Sequence, residues 1–361
     1  MPSVVLAVAG RLDARTGGSI YNRRMAEGLR ARGWVVDVRE LEGDFPQPSS
    51  PTVSAAEGVY AGLPDGSMVL ADGLALCAMP DTIERHASRL RIVALVHLPI
   101  AATVGLDVAT AARLAAWERR ALSAAARVVV TGPGALPLLE PYGLAERSIS
   151  VVEPGVDAAP LARGSSDGVV HLLSVATLNA GKGHEVLLRA LASLDGPSAG
   201  ICGAGASTSA AGWRLTCAGS PTREPKTAAR LRTAVKELGL DTRVRFAGEL
   251  GEAALARAWD EADVFVLATL RETYGMAVAE ALAHGLPTVA TTAGAIPALV
   301  GTSAGLVVPP GDVDALAEAL ERVLGDPVLR AELSAGAREM RQRLPTWDDA
   351  AGRMAAALEG M

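Results

Sequence analysis

The sequence predicts two doubly wound α/β domains in tandem, and three observations carry that expectation. Short Val-rich apolar runs, such as Val4–Ala9 and Val264–Ala268, alternate with segments of helical period, such as Ser19–Arg32 and Val313–Leu324. The strand runs are continuously apolar rather than alternating, as in parallel sheets covered on both faces. The alternation breaks once, at the polar Gly/Pro/Ser-containing stretch 158–168, and then restarts. The expected division is 1–160 for the first domain, with a C-terminal helix at about 345–361 packing back on it, and 161–344 for the second. Sheets of this kind bind ligands beyond the carboxyl ends of their strands. Two of them face to face would make a central cleft.

In order, the first domain reads as a strand at Val4–Ala9, the helix Ser19–Arg32 closed by Gly33, then strands at Val35–Arg39, Met68–Ala71, Ile92–His97 and Arg127–Thr131, with a helix over Ala109–Ala126. The second reads as strand Val169–Ala176, helix His184–Ala192, strand Trp213–Gly219, helix Thr227–Gly239 and strand Val244–Ala247. Helix Ala253–Ala262, strand Val264–Ala268 and helix Gly275–His284 follow, the last stopped by Gly285 and Pro287. Strands Pro287–Thr291 and Gly305–Val308, helix Val313–Leu324 and a helical tail broken near Pro345 complete the chain. Both domains are thus expected to be Rossmann-like.

Composition narrows the function. With 34 basic against 40 acidic residues, the net charge of −6 argues against a nucleic-acid binder. Cys77, Cys202 and Cys217 lie in no ligand spacing, so no disulfide framework or cysteine metal site is expected. The five histidines fit no metal spacing either. No bound metal and no cofactor are expected. Without a membrane-length apolar run or a basic leader, the expected location is the cytoplasm. The basic helix face bearing Arg23, Arg24, Arg30 and Arg32 offers a weak peripheral contact with anionic lipid.

Four motifs stand at strand-to-helix junctions. In the run 271–285, a loop holds Glu272, Gly275 opens a helix, and Glu280 stands just over one turn inside it. A carboxylate there can accept from two vicinal hydroxyls, such as a ribose diol, and free helix N–H groups suit a phosphate. Lys182 lies between Gly181 and Gly183 after the first strand of the second domain, a cation suited to a diphosphate. Gly17 and Gly18 lie after the first strand of the first domain, where backbone amides can form an anion nest. His97 ends a strand in the same domain. Singly, each is also compatible with a solvated turn or a structural side chain.

Together the four resemble the motifs of the retaining glycosyltransferases of glycosyltransferase family 4, which share the GT-B architecture. Glu272 and Glu280 match the E-x7-E pair, Leu178–Gly183 resembles RL-x3-KG, Pro154–Asp157 resembles a PNGVD-like hinge, and Gly17-Gly18 the glycine loop. His97 matches the family's active-site histidine. The resemblance implies a UDP-, GDP- or ADP-sugar donor and a small-molecule, lipid or glycan acceptor. It implies that Glu280 binds the donor ribose and Lys182 its diphosphate, and that Glu272 and His97 contact the sugar, making His97, Lys182 and Glu272 the catalytic set. Thr177, Gly219, Leu250, Tyr274, Gly275 and Met276 would line the donor site, and Tyr21 and Asn22 the acceptor site. It further implies front-face attack with no protein nucleophile. Two departures stand out: Thr177 occupies the place of the family's Arg, with Arg271 and Arg223 as candidate replacements, and the hinge lacks its Asn.

Rival readings are a non-hydrolysing nucleotide-sugar epimerase and a nucleotide-sugar-binding protein without catalysis. Gly301–Gly305 fits G-x-S-x-G, but a helix is expected before it and a strand after, the reverse of a nucleophile elbow. Gly203-Ala204-Gly205 hints at a dinucleotide loop but lacks the third Gly at Thr208.

Overall fold

The computed structural model describes residues 1–194 and 212–360. The dinucleotide-like run at 203–208 and Cys202 lie outside them. The chain forms two compact units, Met1–Gly155 with Pro345–Met361, and Val156–Leu344.

Unit 1 runs β1 (Ser3–Ala9), α1 (Gly17–Ala31), β2 (Val35–Leu41), α2 (Ser50–Ala61), β3 (Met68–Asp72), α3 (Gly73–Leu76), α4 (Pro80–His86), β4 (Arg91–Val96), α5 (Val108–Ala124), β5 (Arg127–Val130), α6 (Leu136–Leu139) and β6 (Ile149–Val151). Its six strands lie in the order β2-β1-β3-β4-β5-β6. All pairings are parallel, Val4 opposite Val36 and Leu70 opposite Val93. The chain therefore reverses direction across the sheet between β1 and β3, the topological switch point.

Unit 2 runs β7 (Val170–Val175), α7 (His184–Ser193), β8 (Trp213–Ala218), α8 (Pro225–Glu237), β9 (Val244–Gly248), α9 (Glu252–Asp260), β10 (Val264–Leu267), α10 (Met276–Ala283), β11 (Thr288–Thr291), α11 (Ile296–Val300), β12 (Gly305–Val308), α12 (Val313–Gly325) and α13 (Pro327–Met340). Its parallel order is β12-β11-β10-β7-β8-β9, so the switch point falls between β7 and β10. β10 and β11 are buried at every position, which explains why they read as unbroken apolar runs. Helix α11 precedes Gly301 and strand β12 follows it, so the G-x-S-x-G run forms no nucleophile elbow.

The chain then returns to unit 1 as α14 (Trp347–Glu359), opened by a capping box between Thr346 and Asp349. It packs on α1 closely enough that a Cβ at Gly28 would stand 2.4 Å from the Ala351 Cβ. Three of the four arginines read as a lipid-facing patch are engaged at this contact or beside it. Arg32 bonds Asp348 at 2.5 Å, Arg24 lies over the Trp347 ring at 5.7 Å, and Arg30 donates to the Val36 carbonyl at 2.9 Å. No helix among the described residues is long and apolar enough to cross a membrane.

The stretch 158–168 is not a loose tether. Arg341 donates to the Ala159 carbonyl at 2.6 Å, His284 Nδ1 donates to that of Pro160 at 2.9 Å, and Arg163 pairs with Asp260. Its polar residues read as a linker because these partners are distant in sequence.

Candidate functional site

At the switch point of unit 2, the loops after β7 and β10 are laced together. The Leu270 N–H donates to the Gly181 carbonyl at 2.8 Å, and Thr269 Oγ1 donates to the same oxygen at 3.0 Å. The next residue but one, Gly183, has φ +64°, and a Cβ there would stand 1.8 Å from the Ala268 carbonyl oxygen. Glycine is therefore required for this approach, and the loop is fixed rather than flexible. Glu224 adds a third tie, accepting from the Ala180 N–H at 3.0 Å.

The lacing sets Lys182 against Glu272, Nζ to Oε2 at 2.7 Å. The other carboxylate oxygen accepts from the Thr273 N–H at 3.1 Å. The two residues are 28% and 17% exposed, so the pair is sheltered but reachable. Two of the three expected catalytic residues thus meet, from loops 90 positions apart in sequence. Gly275 caps α10 at φ +109°, pressed against Ile296 and Leu299. Met276 begins α10, and Gly219 closes on the Ala176 carbonyl oxygen, where a Cβ would stand 1.9 Å away. Thr177 and Leu250 sit in the loops after β7 and β9, and Arg223 and Arg271 are exposed in the loops after β8 and β10. Tyr274 is buried and packs with Ala279 and Ala295.

Glu280 is partly buried on α10, and no hydrogen bond or ion pair to its carboxyl appears among the described residues. Burial, with a smaller push from Asp157, raises this carboxyl to about 7. One residue past the Lys182 loop, His184 is 3% exposed and neither ring nitrogen has a partner among the described residues. Burial and Lys182 lower its imidazole to about 4. The apolar residues flanking Glu280 already point to its shelter, whereas nothing local reports that of His184.

Unit 1 assembles a second group at its own switch point. His97, directly after β4, brings Nε2 to 3.0 Å from Asn22 Oδ1, and Asn22 Nδ2 donates to Asp72 Oδ2 at 2.7 Å. Burial holds His97 below the ordinary imidazole range, with Asp72 opposing. Gly18, in the first turn of α1 beside the exposed Gly17, lies under this ring: a Cβ there would be 3.1 Å from His97 Cδ2. The second glycine of the pair is thus explained by the histidine.

Tyr21 and Asn22 do not offer themselves to an acceptor. Tyr21 is fully buried and donates to the Val152 carbonyl at 2.8 Å, and both ends of the Asn22 amide are occupied. Helical period placed them on α1 but could not say that their face packs inward. Asp72 was missed, because an Asp-Gly after a strand is an ordinary turn and cap signal. Among the described residues no cluster of His, Cys, Asp and Glu could hold a metal.

Gly18→Ala tests the ring contact. Helix propensity favours Ala by about 1 kcal/mol, which offsets a small displacement of the ring. Stability within about 1 kcal/mol of wild type is therefore expected, with reduced turnover. Thermal melts beside kinetics check both halves; unchanged kinetics would remove the ring contact from the site.

Two six-stranded parallel α/β units, each with polar groups gathered at its switch point, define a GT-B protein. A sucrose-phosphate synthase from Thermosynechococcus elongatus superposes with TM-score 0.80 over 100% of this chain and 99% of its own, at 22% identity. Anabaena HepE, solved with UDP and glucose, gives TM-score 0.76 over 99% and 100%, at 17% identity. Residues 170–326 match the family described as glycosyl transferases group 1. A D-inositol 3-phosphate glycosyltransferase of Acidothermus cellulolyticus is 30% identical over 95% of this chain and 85% of its own length. The chain belongs to the group 1 glycosyl transferases. Matches to the relatives in Saccharomonospora viridis (34% identical, 63% of this chain) and Jonesia denitrificans (30%, 69%), which carry the same name, span only 54% and 60% of those proteins.

Proposed function

We propose that the protein moves a sugar from a UDP-, GDP- or ADP-sugar to a hydroxyl acceptor, with retention of anomeric configuration and without a resident metal. The observation that carries this reading is the Lys182–Glu272 pair at the switch point of unit 2, inside the family-matched region. In this reading the donor diphosphate takes over Lys182 Nζ. Glu272, relieved of its cation, then accepts from sugar hydroxyls, while Glu280 accepts from the ribose diol. As the anomeric C–O bond breaks, the negative charge growing on the diphosphate meets a fixed ammonium and helix N–H groups. The acceptor oxygen bonds the same face of the anomeric carbon, and its proton passes to the leaving phosphate. No protein nucleophile is needed. His97 serves the sugar end of the reaction.

A thermal-shift panel of UDP-, GDP- and ADP-sugars tests donor binding, since a ligand at 100 times its Kd stabilises the fold by about 2.7 kcal/mol. Acceptors are tried beginning with D-inositol 3-phosphate, the compound in the names of several relatives. Free nucleotide released only when an acceptor is present supports transfer. Sugar interconversion without release would favour an epimerase, and binding without turnover a carrier.

Donor affinity is expected to rise with pH. An ionised Glu280 accepts both diol hydrogens, and its carboxyl ionises only near 7. Between pH 6 and 8 the ionised fraction grows about 10-fold, and affinity follows it by linkage. Calorimetric titration should show this slope in wild type and lose it in Glu280→Gln. A slope that survives the substitution assigns the titration elsewhere.

A further inference from the structure

Asp72 ends β3 and is 6% exposed. Both its oxygens accept, Oδ1 from the Leu74 N–H at 2.9 Å and Oδ2 from Asn22 Nδ2 at 2.7 Å. A carboxylate has no hydrogen to give. It therefore compels Asn22 to turn its NH2 group toward position 72 and its carbonyl away. That carbonyl is the atom 3.0 Å from His97 Nε2. A carbonyl oxygen only accepts, so the hydrogen of this bond belongs to the imidazole. Asn22 is 2% exposed, which leaves little room for water to offer the amide another arrangement. The Gly18 backbone beneath the ring limits its rotation. Carboxylate, amide and imidazole thus form a chain with one permitted polarity.

We infer that Asp72 is a positioning residue: acting through Asn22, it fixes the neutral His97 ring in the tautomer with hydrogen on Nε2 and the acceptor lone pair on Nδ1. Only the consequence for turnover rests on the proposed function; the tautomer itself does not.

Asp72→Asn isolates the effect. Asparagine keeps the shape and the carbonyl that caps Leu74, but its nitrogen donates. Asn22 then accepts from position 72 and turns its NH2 toward His97, which must accept at Nε2. Nitrogen-15 NMR of the full chain with labelled imidazoles reads the protonated nitrogen directly, with His97 assigned by its loss in His97→Gln. Wild type is expected to carry hydrogen on Nε2, and Asp72→Asn to move it to Nδ1 in most molecules. Asn22→Ala leaves the Leu74 cap in place but removes the relay, so both tautomers are expected to appear. A ring that presents the wrong nitrogen loses a hydrogen bond in the site, which is expected to lower kcat about 2- to 10-fold with the donor KM little changed. Hydrogen on Nδ1 in wild type, or on Nε2 unchanged in both variants, overturns the inference whatever the activity. A moved proton with unchanged kcat leaves Asp72 its positioning role and counts instead against a part for His97 in turnover.

Discussion

Lys182→Ala is expected to lower turnover by about 100- to 1000-fold, the cost of losing one preorganised group that meets transition-state charge, about 2.7–4 kcal/mol. Charge on the diphosphate grows as the sugar departs, so a fixed cation helps the transition state more than the bound donor. The 2.7 Å pair to Glu272 adds a second loss. Without Lys182, the Glu272 carboxylate keeps its bond from Thr273 but faces the phosphate as an uncompensated like charge. The double variant Lys182→Ala with Glu272→Gln separates the two. If repulsion is the larger share, the double variant exceeds Lys182→Ala in turnover; if the missing cation is, it does not. Arg223→Ala and Arg271→Ala, on loops tied to or paired with the Lys182 loop, show which arginine stands in for the charge absent at Thr177. Wild-type turnover in Lys182→Ala would sink the diphosphate assignment.

The stability of unit 2 is expected to be nearly level between about pH 4.5 and 6.5, because two steep dependences oppose each other there. His184 is lowered from its ordinary 6.5 to about 4, so below 6.5 the unfolded chain takes up a proton that the folded ring refuses. Its contribution is present above 6.5 and is lost as pH falls toward 4. Glu280 is raised from 4.5 to about 7, so the folded carboxyl keeps a proton that the unfolded chain has released. Its contribution is present below 4.5 and is lost as pH rises through 7. Each is worth on the order of 3 kcal/mol at about 1.4 kcal/mol per pH unit. Glu280→Gln should remove the second and expose the first, giving a protein more stable than wild type at pH 8 but steeply weaker toward acid. His184→Leu should do the reverse and also relieve two unpartnered ring nitrogens. Urea titrations at several pH values read this. Parallel curves for wild type and Glu280→Gln would refute the balance. Glu280→Gln would then stabilise the free protein while weakening donor binding, a trade expected where function needs an uncompensated group.

The sheets were legible because parallel strands buried on both faces leave unbroken apolar runs, as β10 and β11 do. Lys182 and Glu272 were legible because glycines and charges at strand-to-helix junctions have few other uses. What stayed hidden depended on partners far away in sequence. Tyr21 and Asn22 looked available until α1 was seen to turn them toward Val152, Asp72 and His97. His184 read as a helix start, and nothing local reports that its ring is sealed in. The segment at 158–168 looked like a tether because Arg341, His284 and Asp260 lie 97 to 182 residues from the atoms they hold.

The seating of α14 on α1 also sets an order of events during synthesis. Unit 1 begins at Met1 but includes Pro345–Met361, whereas unit 2 is contained in Val156–Leu344. At about 5–20 residues per second, roughly 10–40 s separate the emergence of the two parts of unit 1 from the ribosome. Through that interval the α1 face that receives Ala351 and Trp347 stays uncovered, although all six strands of unit 1 have already been made. The half of the protein made first is thus the half completed last, and a nascent chain stalled before Pro345 presents a chaperone with an open apolar face on its N-terminal unit.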